Sequence, residues 1–193
     1  MAVVSADPHS SHAQAPGHDL EVLPSGVADV PTVSAEGRRR PQLEGVVSAP
    51  AVVHADHRGT LMETVNFDDP FWEEPVVYAY TFTVAPGRIK GWGMHKRQTD
   101  RYVVLAGPLR VVLYDGRPES PTFQHFAEFS FADEATGFLR IPPGVWHADQ
   151  NVGEVPCRVI NFPTLPYDRD APDKYRIDPA SGEIPFDFTL RDG

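Results

Sequence analysis

The chain has 193 residues, a formal charge of −10, 41% hydrophobic residues, 20 prolines and one cysteine. The acidic balance argues against nucleic acid as a partner, because that binding rests on neutralising phosphates. Interior proline removes a backbone donor and clashes with the preceding turn, so the proline load argues against a helical bundle. No apolar run approaches the roughly 20 residues that span a bilayer, and the N-terminus lacks a charged segment followed by an apolar one. A cytoplasmic protein without membrane contact is the expectation.

Residues 1–45 show no sustained period and are rich in Ser, Ala, Pro, Gly and Asp. Such a segment cannot bury enough apolar surface to offset the entropy of ordering, so it is expected to be a disordered arm. Residues 46–193 are expected to form the folded domain. Val46-Val47 and Val52-Val53 flank a Ser-Ala-Pro turn, Arg58-Gly59 reads as a second turn, and Leu61 to Val65 as a short strand. An aromatic and acidic loop follows from Phe67 to Pro75.

Val76 to Val84 is the clearest strand, β-branched and aromatic between Pro75 and Pro86-Gly87. Further strands are expected over Arg88 to His95, Arg101 to Leu105, Leu109 to Tyr114, Phe138 to Ile141 and Cys157 to Phe162. Gly, Pro or Asp-Gly punctuation separates nearly all of them. Cys157 lies in one of these segments and reads as a small core hydrophobe. Many short strands without a long helix indicate an all-β barrel or jelly roll. The tail from Pro166 to Pro185 is irregular and should wrap over the barrel.

Two stretches carry chemistry. His95 is followed by Asp100, an apolar strand and Gly107; later comes Pro142-Pro-Gly144-Val-Trp-His147-Ala-Asp-Gln-Asn151. The pair resembles the two half-motifs of a cupin-type β-barrel, in which both histidines face the mouth of one barrel. From Asp56 onward the chain also resembles the dTDP-4-dehydrorhamnose 3,5-epimerase family. The likeness lies in Asp56-x-Arg58-Gly59…Glu63, Gly93-Met94-His95, Asp115-x-Arg117…Ser120-Pro-Thr-Phe123, Pro142-x-Gly144-x-x-His147 and Arg176-Ile-Asp178-Pro179.

That resemblance implies a sugar-nucleotide 3- and/or 5-epimerase that removes a proton next to a ketone, without a cofactor, as a homodimer. By it His95 is the base and Asp178 its partner; the chemistry also needs a group at the developing oxyanion, and His147 is the candidate hydrogen-bond donor there. Arg58, Glu63 and Arg117, with Arg97 as a further candidate, are expected to bind the nucleotide diphosphate, the arginines because guanidinium forks suit phosphate; Trp92 and Tyr167 line the site. For Arg117 an ion pair with Asp115 within its own turn is an equal alternative.

Three positions depart from the family. Trp92 stands where the family has arginine, Asp100 where it has lysine, and Ile160 or Asn161 near its proton-donating tyrosine. Tyr102, Tyr114 and Tyr167 are candidate donors instead, and Lys90 a candidate cation. Asp100 opens a second class of function: with His95 and His147 it would make a two-histidine-one-carboxylate face for a divalent metal ion, as in metal-dependent cupins. An ion pair of Asp100 with Arg97 or Arg101 is the structural alternative. A third possibility is a barrel that binds a sugar nucleotide without catalysis. Trp92, Trp146 and Tyr80 are expected to form an apolar pocket floor.

Overall fold

The computed structural model describes residues 43–132 and 136–190, all within the compact unit that begins at Arg40. The arm expected over 1–45 lies outside the described residues, apart from its last three. Of these, Leu43 is fully buried in the main core, so the packed structure starts before Val46.

Two five-stranded antiparallel sheets make the body. The first contains β1 (Val47–Pro50), β9 (Gly137–Ile141), β6 (Asp100–Ala106), β11 (Cys157–Asn161) and β4 (Tyr80–Val84), in that spatial order. The second runs β12 (Tyr175–Arg176), β5 (Ile89–Met94), β10 (Val145–Asn151), β7 (Leu109–Asp115) and β8 (Phe126–Phe131). A separate hairpin pairs β2 (Val53–Asp56) with β3 (Gly59–Met62) across the expected Arg58-Gly59 turn. The described chain is all-β, with one 3-10 turn at Pro70–Trp72, and has the cupin-type fold. Among the described residues no helix is long and apolar enough to cross a membrane.

Strand alternation sorts the side chains. On β6, Tyr102 and Val104 join Leu109, Val111 and Leu113 of β7, Phe129 and Val145 in the core between the sheets. The intervening Val103 and Leu105 face outward, under Phe71, Trp72 and Phe162. On the other sheet the outward residues Val112, Ala148 and Trp92 are covered by Ile184, Phe186 and Phe188 of the tail. Covering both faces explains why β6 and β7 read as nearly continuous apolar runs rather than clean alternations. The tail packs on the second sheet through Ile184, Phe186 and Phe188 and adds β12 to its edge, pairing Tyr175 with Met94 and Arg176 with Gly93.

Several local expectations change. The strand expected over Val76 to Val84 is paired only from Tyr80, because its partner β11 ends opposite it at Asn161. The preceding loop is held instead by the buried Arg101, whose guanidinium donates to the carbonyls of Glu74 (2.6 Å) and Pro75 (3.0 Å). Ser48-Ala49-Pro50 is not a turn but part of β1, paired with β9. A further strand, β8, lies outside the expected set; its residues alternate between buried and more exposed positions.

Candidate active site

The strands bring the two histidines to one place. β5 ends at Met94 and delivers His95; β6 opens with Asp100; β10 carries His147 and Asp149 on its inward face. His147 pairs in register with Gly93, and a Cβ built at Gly93 would lie 2.9 Å from His147 Nε2. Glycine there gives the imidazole its room. The Gly144 N–H donates to the His95 carbonyl at 2.8 Å, tying the second half-motif to the first. The two rings stack with centroids 5.8 Å apart.

Asp173, which sequence reasoning did not single out, latches the C-terminal segment over this pair. Its carboxylate accepts the backbone N–H groups of Lys96 (3.0 Å), Arg97 (2.8 Å) and Gln98 (3.1 Å). Its carbonyl hydrogen-bonds His95 Nδ1. A carbonyl only accepts, so Nδ1 carries the proton and Nε2 is left with its lone pair. No periodicity or motif marks Asp173; only the folded path of the tail brings it here.

Nε2 of His95 lies 3.3 Å from Asp100 Oδ2, and Nε2 of His147 lies 3.8 Å from the same oxygen. Asp100 is buried, and its Oδ1 accepts from Gln98 Nε2 (2.9 Å) and Asn161 Nδ2 (2.8 Å). Oδ2 has no hydrogen-bond partner of good geometry. Arg101 points away to backbone carbonyls, so the ion pair considered for Asp100 with that residue does not form. Atoms of His95, Asp100 and His147 lie within 4.8 Å of one another, and among the described residues these three are grouped so that they could hold a metal ion.

The titrations follow from this packing. Burial disfavours the charged form of His95, but the Asp100 carboxylate and the Asp173 carbonyl outweigh it and raise the pKa above its ordinary value. Burial dominates at His147 and lowers its pKa to about 4, leaving a neutral imidazole. Asp149 is pushed up to about 7, first by burial and then by the nearby Asp100 charge. Tyr102, whose hydroxyl is 3.5 Å from Asp149 Oδ2, is held well above 10 by burial and these carboxylates.

A cavity of about 560 Å³ has walls that include His95, His147, Tyr102, Asp149 and Lys174; Trp92 also borders it, with its ring packed against Phe186 and Phe188 of the tail. Tyr80 and Tyr167 also line it, the latter half exposed. Trp146, expected in the floor, packs in the outer cluster under the tail instead. Five cations, Lys90, Arg97, Arg169, Lys174 and Arg176, line the cavity as well.

Four expected site residues lie elsewhere. Asp178 is exposed beyond β12 and accepts the Ala180 N–H at 2.9 Å, so it is not the partner of His95; Asp100 and Asp173 are. Arg58 and Glu63 are exposed on and after the β2–β3 hairpin, with Arg58 paired to Asp56 at 2.6 Å. Arg117 is bound to Asp115 of its own turn at 2.7 Å and also donates to the carbonyl of the distant Glu44. None of the four lines the cavity.

Comparison with known proteins gives a consistent answer. The family model for dTDP-4-dehydrorhamnose 3,5-epimerase matches residues 40–187. A probable low-salt glycan biosynthesis epimerase, Agl13, of Haloferax volcanii is 34% identical, covering 71% of this chain and 88% of that one. The spore coat polysaccharide biosynthesis protein SpsL of Bacillus subtilis is 33% identical over 70% of this chain and 89% of its own. A dTDP sugar isomerase from Desulfovibrio desulfuricans superposes with a TM-score of 0.72 at 28% identity, covering 78% of this chain and 95% of that structure. With its match across most of the chain and a histidine pair at the cavity wall, this chain belongs to the dTDP-4-dehydrorhamnose 3,5-epimerase family and is an epimerase-like enzyme of the isomerase class.

Proposed function

We propose that the protein epimerises a nucleoside-diphosphate 4-keto-6-deoxyhexose at one or both carbons beside the ketone, with His95 as the base. The observation that carries this reading is the setting of His95. Its Nδ1 proton is committed to the Asp173 carbonyl, and its Nε2 sits at the wall of the cavity beside a carboxylate 3.3 Å away. When Nε2 takes the α-proton, the imidazolium forms next to Asp100, which stabilises it as the carboxylate of a His–Asp pair does. Here the backbone carbonyl fixes the tautomer and the carboxylate offsets the charge, two tasks that one carboxylate usually combines.

The enolate oxygen needs a cation. The family's lysine position is Asp100 here, and Lys174, held in place by the Asp173 latch, supplies the charge from the tail. Tyr102, whose own proton is held tightly, donates it to the carbanion from the cavity wall; solvent then reprotonates the tyrosinate and takes the proton held by His95, which resets both groups. Arg97, Arg169 and Arg176 take the diphosphate in place of Arg58 and Arg117. The two relatives, a probable glycan biosynthesis epimerase and a spore coat polysaccharide biosynthesis protein, support a role in supplying an activated sugar for a polysaccharide. Two copies are expected to pair, in the cytoplasm, through the hairpin and loop that expose Val53, Leu61 and Phe67.

The test is solvent-deuterium incorporation into a dTDP-4-keto-6-deoxyhexose, followed by mass spectrometry and NMR. Label is expected at a carbon next to the ketone with the wild-type chain and not with His95→Ala. No label at either carbon would sink the reading.

A further inference from the structure

Asp100 presents a problem that proton transfer alone does not resolve. Its Oδ1 is saturated by two amide donors, Gln98 and Asn161, which fix the plane of the carboxylate. That orientation turns Oδ2, buried and without a hydrogen bond, toward both imidazoles. The His95 nitrogen facing it is the lone-pair end, because Nδ1 holds the proton. A buried anion thus faces imidazole nitrogens on two sides with no donor assigned to the space between them. Such a group costs a large desolvation penalty unless a positive charge enters. A proton on His95 serves one pair; a cation bonded to all three atoms serves the whole cluster.

The geometry suits a cation. A metal with bonds of about 2.1 Å sets tetrahedral donors roughly 3.4 Å apart. Two edges here are 3.3 and 3.8 Å. The third is no longer than 4.8 Å, so binding an ion requires that edge to draw in by at most about 1.4 Å. Supporting hydrogen bonds of the kind that orient metal ligands already stand behind His95 and Asp100. Gly93 keeps the space around His147 Nε2 clear. Two nitrogens and one carboxylate oxygen suit a borderline divalent ion, whereas calcium or magnesium would want an all-oxygen set.

We infer that His95, Asp100 and His147 form a binding site for a borderline divalent transition-metal ion, open to the cavity, and that its occupation blocks proton abstraction at His95. Binding does not depend on the epimerase reading; the block does, because the metal and the α-proton compete for the same Nε2 lone pair.

The experiment uses the full chain, stripped with chelator and dialysed. Zinc is titrated by calorimetry and cobalt(II) by visible absorption. One ion per chain is expected, with an intense visible cobalt band that reports low coordination number. Asp100→Asn and His147→Ala should each weaken binding at least about tenfold, with melting temperatures recorded so that an unfolded variant is not counted. Asp178→Asn should bind as the wild type does. Zinc binding of equal strength in wild type and Asp100→Asn would overturn the site and assign the ion to histidines elsewhere.

In the deuterium assay, zinc should abolish incorporation and chelator restore it. Stoichiometric binding that leaves incorporation intact would overturn the block. If the stripped protein binds zinc yet never incorporates label, the metal site stands and the epimerase reading fails.

Discussion

Asp100 and Asp115 are both buried carboxylates of this domain, one opening β6 and the other closing β7. Asp115 is fully satisfied. Its Oδ1 accepts from the Arg117 N–H (3.0 Å) and Nε (2.8 Å), and its Oδ2 from Arg117 (2.7 Å), Ser120 (2.6 Å) and Thr122 (2.7 Å). Asp100 has one oxygen saturated and the other left beside two imidazoles. The family-like motif around Asp115 is therefore a scaffold that closes a turn. The site at Asp100 keeps reactive atoms short of partners, which is what chemistry requires and stability does not.

The largest effect separating the two regions should be on rate. A positioned base contributes about 10²–10⁴-fold, so His95→Ala should lose that much label incorporation while Arg117→Lys, in the satisfied turn, loses little. Next is Lys174. Removing a group that holds developing oxyanion charge costs about 10²–10³ in kcat, so Lys174→Met should fall by that factor with KM little changed. Lys174→Arg should recover part of it. An equal loss in Lys174→Met and Lys174→Arg, or a change confined to KM, would assign Lys174 to binding alone.

The same contrast should reverse in stability. Asp115→Asn removes a charged acceptor from a network of hydrogen bonds, each such bond worth about 1.5–3 kcal/mol, so unfolding free energy should drop by roughly 2 kcal/mol. Asp100→Asn keeps an acceptor for Gln98 and Asn161 and offers an amide donor to the histidine nitrogens. It removes a buried charge, so its stability should be unchanged or higher, within about 1 kcal/mol. Urea unfolding of both variants at neutral pH decides this. A larger loss in Asp100→Asn would mean that the charge at Asp100 holds the barrel together.

The parts legible in the sequence are those written in local chemistry. Turn residues and β-branched runs located most strands, and His95 and His147 were marked by their half-motifs. Asp100 was visible as a departure from the family's lysine. What could not be read depends on the path of the chain. Asp173 reaches His95 only because the tail crosses the cavity mouth, and nothing near Pro172 announces it. Asp178, chosen by motif, falls in an exposed turn because β12 ends at Arg176. Arg117 matched a phosphate-gripping pattern, yet the carboxylate two residues before it offered the better partner. A motif states which residues recur together; it does not state whether they face a ligand or each other.

The smallest and most diagnostic difference lies in pH. The hydrogen bonds from Arg117, Ser120 and Thr122 outweigh burial and hold Asp115 well below its ordinary value of 3.8. A carboxyl whose folded pKa lies below its unfolded one adds stability above the unfolded value, and loses it as the pH falls toward the folded value. The gap in unfolding free energy between wild type and Asp115→Asn should therefore be constant from pH 7 to about 5 and shrink below about pH 4. His95 runs the other way, its pKa raised by Asp100 and the Asp173 carbonyl against burial. A base must be neutral to act, so label incorporation should rise with pH through a midpoint above 6.5, the ordinary histidine value. In Asp100→Asn that midpoint should move down, because the imidazolium has lost its neighbouring charge. A midpoint that stays in place would remove Asp100 from the proton-transfer step and leave the Asp173 carbonyl as the group that raises the His95 pKa against burial.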